Sequence, residues 1–413
     1  MHDCFAVRIY LVHAREHLCE RNVNRVWQAR DRDFRVFADV DNLNVVTVVE
    51  ALFEFGRCDL FHSGRYLTRL RGAYATLSVM RFEFYTDALE NTPKLSVDGT
   101  VPNSVHLSHW EGNETAAELK ADTSTEIALN LVASSDRDSF TKGIDLVTNN
   151  HFDTDGVLSC WVVLTGERAL AHKDLLVSAA EAGDFSEHTS DDGVRVSIAI
   201  QGPDQSSPNN DDGSPLAQML AGREFATRIT DNDALAYDLI FPELDRLLSN
   251  VNAYEGLWRE GWKNVANAIE SFAQGKSQVK KFDESRMSVV TLAPELFNGS
   301  VPFTAISKFA RGEMFLIGIP QSGGWFYRLD YPYYSWAETV VRPHIRRRDL
   351  TAGLRVLNEQ ETGGGGEWRT DRREMTSAVK FLGENGSFAV SKLEPDQVAT
   401  ALTGNRQAQT GPH

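Results

Sequence analysis

Ile144-Asp-Leu-Val-Thr-Asn-Asn-His-Phe-Asp-Thr-Asp-Gly-Val-Leu-Ser-Cys-Trp161 is the stretch on which the reading of this chain turns. Ile144 to Val147 is a short, mostly apolar run with the pattern of a buried strand, and Val157 to Leu164 opens an apolar helix. Between them His151, Asp153 and Asp155 occupy alternate positions, so in an extended segment their side chains share one face. The expectation is three ligand-type groups at the C-terminal end of a strand, where open α/β sheets place their sites. Gly156 is expected to let the backbone turn tightly into the helix behind.

The surrounding chain sets bounds on function. Its 413 residues suffice for two or three domains with cores of their own. A hydrophobic share of 42% with 24% charged residues is that of a globular protein. The formal charge of -16 argues against coating duplex nucleic acid, which depends on phosphate neutralisation by Lys and Arg. Cys4, Cys19, Cys58 and Cys160 have no metal-ligand spacing and are too few for a disulfide scaffold, which implies a reducing compartment. No apolar run approaches the roughly 20 residues that span a bilayer, and the N-terminus lacks a signal-peptide pattern, so a cytoplasmic location without membrane attachment is expected.

Outward from the central stretch, the chain has four parts. Residues 1–79 hold eleven Arg and no Lys, with three of the four cysteines, and only Val45 to Phe55 suggests a helix. Because Met80 opens a natural-looking start, Arg-Phe-Glu-Phe-Tyr, this first part reads as an over-extended reading frame or a dispensable extension. Residues 80–275 read as an α/β domain: strands Lys94 to Val97 and Val105 to Ser108, a helix starting at Asp122-Thr-Ser-Thr-Glu126 with capping groups, and the central strand, turn and helix. Leu175 to Ala182 reads as a third helix and Val194 to Ile200 as a strand, followed by a polar, breaker-rich loop over 202–215. Residues 216–275 are helical in pattern, and the stripe through Tyr254, Trp258 and Trp262 is most simply a packed core face. Residues 285–402 read as a C-terminal α+β domain, with strands at Ser288 to Leu292, Ala305 to Phe309, Met314 to Ile319, Trp325 to Leu329, Ala378 to Leu382 and Phe388 to Val390, and a helix at Asp349 to Asn358. A polar tail, 403–413, follows.

The chemistry gathers at the strand ends. Hard divalent cations take oxygen ligands and Mn also accepts imidazole, so a His with two Asp suits Mn, with Mg or Fe as alternatives. Asp98 and His109 fall at the ends of the two preceding strands, and five such ligands can hold two ions that clamp a phosphoryl centre.

These residues resemble the DHH phosphoesterase superfamily over roughly residues 94–190. His151, Asp153, Asp155, Gly156 and Ser159 match its first motif, Asp98 its second, and Ser108-His109-Trp110 its Asp-His-His triplet in part. Asp122-Thr123-Ser124-Thr125-Glu126 matches the helix opening that follows the triplet, and Asp184, in Ala-Gly-Asp-Phe, resembles the family's last metal-binding Asp. The order departs from the family's, as if the domain were circularly permuted, and Trp110 stands where the family has a phosphate-contacting His. The resemblance implies a parallel-sheet DHH-like core and a Mn-dependent phosphoesterase. His151, Asp153, Asp155, Asp98, His109 and Asp184 would be its metal ligands, with Asp153, Asp155 and His109 in catalytic roles and a bridging water attacking phosphorus in line. Thr123, Ser124, Thr125 and Trp110 would contact substrate, the first three because helix N-termini favour anions. Glu361 to Trp368 resembles the glycine-rich loop of the DHH-associated domain, and Arg346 to Arg348, Lys280-Lys281 and Arg372-Arg373 are the basic clusters available as a phosphate clamp.

Two alternatives remain open. Phe152 to Leu158 also resembles the first motif of haloacid-dehalogenase-like phosphatases, with Asp153 as nucleophile and Asp231-Asn232-Asp233 the only nominee for a later motif. The missing second His also allows a non-catalytic DHH-like ligand-binding or regulatory protein. The partners expected are a small phosphorylated substrate (nucleotide or pyrophosphate) or a short oligonucleotide, and a homodimer is compatible with the sequence. If residues 1–79 are dispensable, a protein starting at Met80 will fold and retain metal; loss of cooperative unfolding or of all metal binding would overturn that expectation.

Overall fold

The computed structural model describes residues 26–28, 35–37, 80–202, 214–224, 232–362, 365–371 and 376–404. The chain divides into two units, Met1–Val79 and Met80–His413. In the first, strands Val26–Gln28 and Arg35–Phe37 pair antiparallel. Several features expected from sequence lie outside the described residues: Cys4, Cys19, Cys58, the helix at Val45 to Phe55, most of the loop at 202–215, Asp231, Gly363, Gly364, Arg372, Arg373 and the tail beyond 404.

The second unit is α/β and begins with a four-stranded parallel sheet. β1 (Arg81–Phe82), β2 (Leu95–Val97), β3 (Val105–Leu107) and β4 (Leu146–Thr148) lie in the order β1-β4-β2-β3. Every adjacent pair is parallel, with Leu95 opposite both Val147 and Val105. β2 and β4 are buried along their whole length, and the polar centre of β2, Ser96, meets burial by donating its hydroxyl to the Gly99 carbonyl. Parallel strands put their carboxyl ends on one edge, so the residues after β2, β3 and β4 emerge together.

Helices pack on this sheet and on one another: α1 (Ser124–Ala133), α2 (Thr154–Thr165), α3 (Lys173–Phe185), α4 (Asp191–Gln201), α5 (Pro215–Glu224), α6 (Asp233–Ser249) and α7 (Glu255–Ala273). Thr123 and Glu126 form a reciprocal capping box that starts α1. Residues 194–200, expected as a strand, belong to α4. Ser190 caps that helix on Gly193 N–H, Asp191 and Asp192 occupy its first turn, and Val194, Val196, Ile198, Ala199 and Ile200 are all buried. A short apolar run does not distinguish a strand from a buried helix, and here the cap decided it. Trp258 and Tyr254 are buried, and Arg195 stacks on Trp258 and Trp262, so the aromatic stripe is a packed face.

A six-stranded sheet follows: β5 (Gln278–Phe282), β6 (Met287–Thr291), β7 (Met314–Gln321), β8 (Gly324–Asp330), β9 (Glu367–Thr370) and β10 (Ser377–Leu382), in the order β9-β10-β8-β7-β6-β5. Only β6 and β7 are parallel. Parallel neighbours need a crossover, and α8 (Phe303–Phe309) occupies it, where the sequence suggested a strand over Ala305 to Phe309. Phe388 makes a single bridge to Leu382, so Phe388 to Val390 is not a strand. Alternation divides the sheet between two cores: Val289, Leu316 and Leu329 face α9 (Thr351–Gln360) and α10 (Pro395–Thr403), while Val290, Ile317 and Ile319 pack with Ile306 of α8. No helix among the described residues is long and apolar enough to cross a membrane.

A strap at residues 337–342 ties this sheet's side of the unit to the parallel sheet. Glu338 N–H donates to the His109 carbonyl (2.7 Å), and its carboxylate accepts from Gly112 N–H, Asn113 Nδ2 and Lys120 Nζ. The N–H groups of Val340, Val341 and Arg342 all donate to the buried Asp122 carboxylate. Arg342 then pairs with Asp122 (2.8 Å), Glu181 (2.5 Å) and Glu187 (2.6 Å), over the Phe185 ring. Removing one partner from a largely buried ion network leaves the others uncompensated. Arg342→Ala is therefore expected to lower unfolding free energy by about 3 kcal/mol, read as a lower urea midpoint, with Arg342→Lys recovering only part; an unchanged midpoint in Arg342→Ala would refute this role.

Candidate metal centre

Each ligand-type side chain is set by a distinct local device. Asp98, directly after β2, has φ +67°, a left-handed conformation that Asp adopts more readily than most side chains and that its surroundings hold here. Its N–H donates to the Leu107 carbonyl (2.9 Å), and its own carbonyl accepts from Ser108 Oγ (2.6 Å). Its buried carboxylate accepts from Ser124 Oγ through Oδ1 (2.8 Å), leaving Oδ2 2.9 Å from His151 Nε2.

His109, just beyond β3, is buried, and its Nδ1 donates to the Asp122 carbonyl at 2.6 Å. That bond orients the ring so that Nε2 faces the carboxylates, the second-shell arrangement common in imidazoles that ligate metals. Nε2 stands 3.1 Å from Asp184 Oδ2, 3.5 Å from Asp98 Oδ1 and 3.8 Å from Asp155 Oδ2, and has no hydrogen-bond partner.

The central stretch does not stay extended, contrary to the sequence expectation. Asp153 is the N-cap of α2, its Oδ1 accepting from Gly156 N–H (2.7 Å), so the helix begins at Thr154 rather than Val157 and Asp155 lies in its first turn. The two aspartates therefore diverge. Asp153 joins Asp98 and His151, while Asp155 joins Asp98, His109 and Asp184, with the ligand atoms of each group within 4.8 Å of one another. Asp98 is common to both. Gly156 serves through its lack of a side chain rather than by turning the chain: a Cβ there would lie 2.3 Å from Asn149 Nδ2 and 2.9 Å from Tyr237 Oη.

The expected substrate contacts at the start of α1 are rearranged. Ser124 and Thr125 are buried, and their N–H groups both donate to the Asp155 carboxylate at 2.7 Å. Thr123 Oγ1 is spent on the capping box. The positive end of α1 is thus already neutralised by a carboxylate of the protein, and a phosphate would have to displace it. Asp184, at the end of α3, does reach the cluster, and Trp110 lies beside His151 with ring centroids 5.2 Å apart. His106 accepts from Glu114 N–H, and His188 pairs with Asp191, so neither is in the cluster, and nor is His172. Of the basic clusters, Arg348 pairs with Glu313, Arg347 stacks on Tyr331, and Lys280 pairs with Asp396, each away from the cluster.

Several supporting residues carried no signal for the site in the sequence. Tyr237 of α6, fully buried, donates to the His151 carbonyl (3.1 Å) and accepts from Asn149 Nδ2 (3.0 Å). Trp336 sets its ring edge-on to His109 at 5.0 Å. Asp122 was visible as part of a helix start, but its hold on His109, 13 residues before it, and on the strap, over 200 residues after it, was not.

The protein's own charges are frustrated here. Among the described residues, the ion-pair partners of Asp98, Asp153, Asp155 and Asp184 are the two imidazoles alone. Burial, reinforced by Asp98, pushes Asp155 up to about 7 against the pull of His109. Burial and the charge of Asp153 push Asp184 well above the usual carboxylate range. Burial disfavours the His109 imidazolium, yet Asp184, Asp155 and Asp98 lift its pKa to about 10. A divalent cation would invert this logic by stabilising every carboxylate in its charged form. Converging oxygens, a buried imidazole nitrogen turned toward them without a well-aligned hydrogen bond, and a carboxylate shared by two groups fit one or two hard or borderline cations.

A protein-family model described as "Family of unknown function (DUF6687)" matches residues 79–398. No curated protein matches the sequence. Among solved structures, one described as "pGpG-specific phosphodiesterase - PggH from Vibrio cholrae" is similar at 13% identity over 64% of this chain and 79% of that one, with a TM-score of 0.24, too weak a likeness to transfer a fold or an activity.

If the cluster binds metal, protein incubated with Mn will retain it through gel filtration. Asp153→Ala and Asp155→Ala will each lower the bound metal, and Asp98→Ala, which touches both groups, will lower it most. Metal content equal to wild type in both Asp153→Ala and Asp155→Ala would eliminate the site.

Proposed function

The chain belongs to the DUF6687 family, and we propose that it is a metal-dependent phosphoesterase-like hydrolase, with a DHH-like core in residues 80–275 and a substrate-side domain in residues 285–402. The observation that carries this reading is the pair of ligand groups sharing Asp98 at the carboxyl edge of the parallel sheet. His151, Asp153 and Asp98 would hold one cation, and Asp98, His109, Asp155 and Asp184 a second, with Mn favoured because two imidazoles join the carboxylates. When bound, such cations polarise phosphoryl oxygens and make a nucleophile available from water near neutral pH.

What the residues themselves do follows from their contacts. Asp155 is oriented by two backbone donors and cannot swing away, and His109 is locked by the Asp122 carbonyl. Such fixed orientation limits reorganisation when charge develops in a transition state. Asp153 divides its oxygens between the α2 cap and the cluster, so substrate arrival need not disturb the helix. His151 and Asp153 are the partly exposed members, with side chains 26% and 20% exposed, against 0% for Asp98, His109 and Asp155. Substrate therefore meets the cluster from the His151 side. The class that fits is a small phosphate ester or a short oligonucleotide, attacked by water in line.

The test is hydrolysis of bis(p-nitrophenyl) phosphate by the Mn-loaded protein. Activity should vanish with EDTA and return with Mn, and His151→Ala and Asp153→Asn should each lower kcat/KM by about a hundredfold or more. A covalent phospho-aspartate on Asp153, or turnover indifferent to EDTA, would overturn the reading in favour of another chemistry.

A further inference from the structure

We propose that Trp110 is a stacking platform that selects phosphate esters carrying a flat aromatic ring, a nucleobase or an aryl group, at the open side of the metal cluster. This deepens the phosphoesterase reading and rests on it.

The placement of the ring is the first observation. His151 and Asp153 are the cluster members most open to solvent, and Trp110 stands next to His151, tilted by 48° with centroids 5.2 Å apart. Trp110 is 39% exposed, although large apolar side chains this open are few among the described residues. An indole left partly bare beside an entrance, rather than folded into the adjacent core, has surface to give to a ligand.

The second observation is that the ring is held. Trp336 packs edge-on against it at 5.6 Å and 76°, and Trp336 is itself seated edge-on over the buried His109. The backbone that carries the ring is also fixed: the Trp110 main-chain N–H donates to Ser108 Oγ (3.1 Å), and its main-chain carbonyl accepts from both Asn113 N–H and Asn113 Nδ2. A platform preorganised in this way loses little conformational freedom when a ring stacks on it. Trp336 takes up part of the indole, and the residue still keeps 39% of its surface exposed.

The third observation concerns what else could grip the substrate. Among the described residues no Lys or Arg pairs with the cluster carboxylates, Arg342 is committed to Asp122, Glu181 and Glu187, and the α1 N-terminus is occupied by Asp155. Phosphate recognition thus falls to the ligand groups, and the remaining binding energy has to come from the organic part of the ester. Beside His151, Trp110 supplies an aromatic face, which attracts flat rings without reading their hydrogen-bonding edges. A sugar phosphate lacking a ring of that kind would leave the platform uncovered.

Equilibrium binding to the Mn-loaded full-length chain tests this with three probes: AMP, phenyl phosphate and ribose 5-phosphate, followed by calorimetry and by tryptophan fluorescence. AMP should bind roughly tenfold or more tighter than ribose 5-phosphate, as one base stacking on an aromatic side chain would give, and should quench the fluorescence. Trp110→Ala should collapse that ratio and the quenching, while Trp110→Phe keeps much of the ratio. Phenyl phosphate binding like AMP would support a general aryl platform, and phenyl phosphate binding like ribose 5-phosphate beside tight AMP would support a nucleobase platform. Equal affinities for AMP and ribose 5-phosphate in wild type, or a ratio preserved in Trp110→Ala, would overturn the platform while leaving the phosphoesterase reading intact. Absence of any Mn-dependent binding by all three would overturn both.

Discussion

Two backbone N–H groups at the start of α1 donate to the carboxylate of Asp155, and much of the site's geometry hangs on that contact. It joins the N-terminal ends of α1 and α2 face to face, because Asp155 projects from the first turn of one helix into the first turn of the other. Helix N-termini carry partial positive charge, so that of α1 stabilises the Asp155 carboxylate that α2 presents, while that of α2 is met by its own cap, Asp153. Ser124 adds its hydroxyl to Asp98, and Asp153 caps α2 on Gly156 N–H. Three carboxylates are thereby gathered at the sheet edge with their hydrogen bonds made by helix ends rather than by Lys or Arg. The backbone donors hold the acids in place without supplying the whole countercharge, and that residue of uncompensated charge is what makes the cluster receptive to cations.

Much of the parallel sheet could be read in the sequence because its strands are short apolar runs ending in polar, ligand-type residues. Asp98, His109 and the segment His151 to Asp155 stood out for that reason, and the structure brings them together. The errors have a common cause. Residues 194–200 and 305–309 are short apolar stretches whose period is ambiguous, and their conformation was decided by what surrounds them: a Ser190 cap in one case, the need to cross between parallel β6 and β7 in the other. The extended reading of His151, Asp153 and Asp155 failed because the Asp153 cap started α2 three residues earlier than the apolar run suggested. Tyr237, Trp336 and the strap could not be read at all, since their roles exist only through contacts between segments far apart in sequence.

The substitution that weakened the family resemblance, Trp110 for an imidazole, takes on a different meaning in three dimensions. An imidazole there would add another polar group near His151; the indole instead packs with Trp336, a residue supplied by the C-terminal part of the chain. The C-terminal part thus contributes to the wall of the site through an aromatic ring. Its basic residues are turned to other tasks: Arg348 to Glu313, and Arg342 to the acidic surface around Asp122.

Asp122 shows how those tasks bear on the cluster. Its carbonyl orients His109, while its carboxylate gathers three backbone N–H groups and the Arg342 side chain from the strap. One residue therefore touches both a ligand of the candidate site and the segment that fastens the C-terminal part over it. Glu338 N–H, bonded to the His109 carbonyl, makes a second tie between the same two segments. The strap thus holds, through Asp122 and through the His109 carbonyl, the backbone on which the orientation of Nε2 rests. The strap and one candidate ligand are thus held by the same residue, so the position of His109 depends on contacts made by the C-terminal part of the chain.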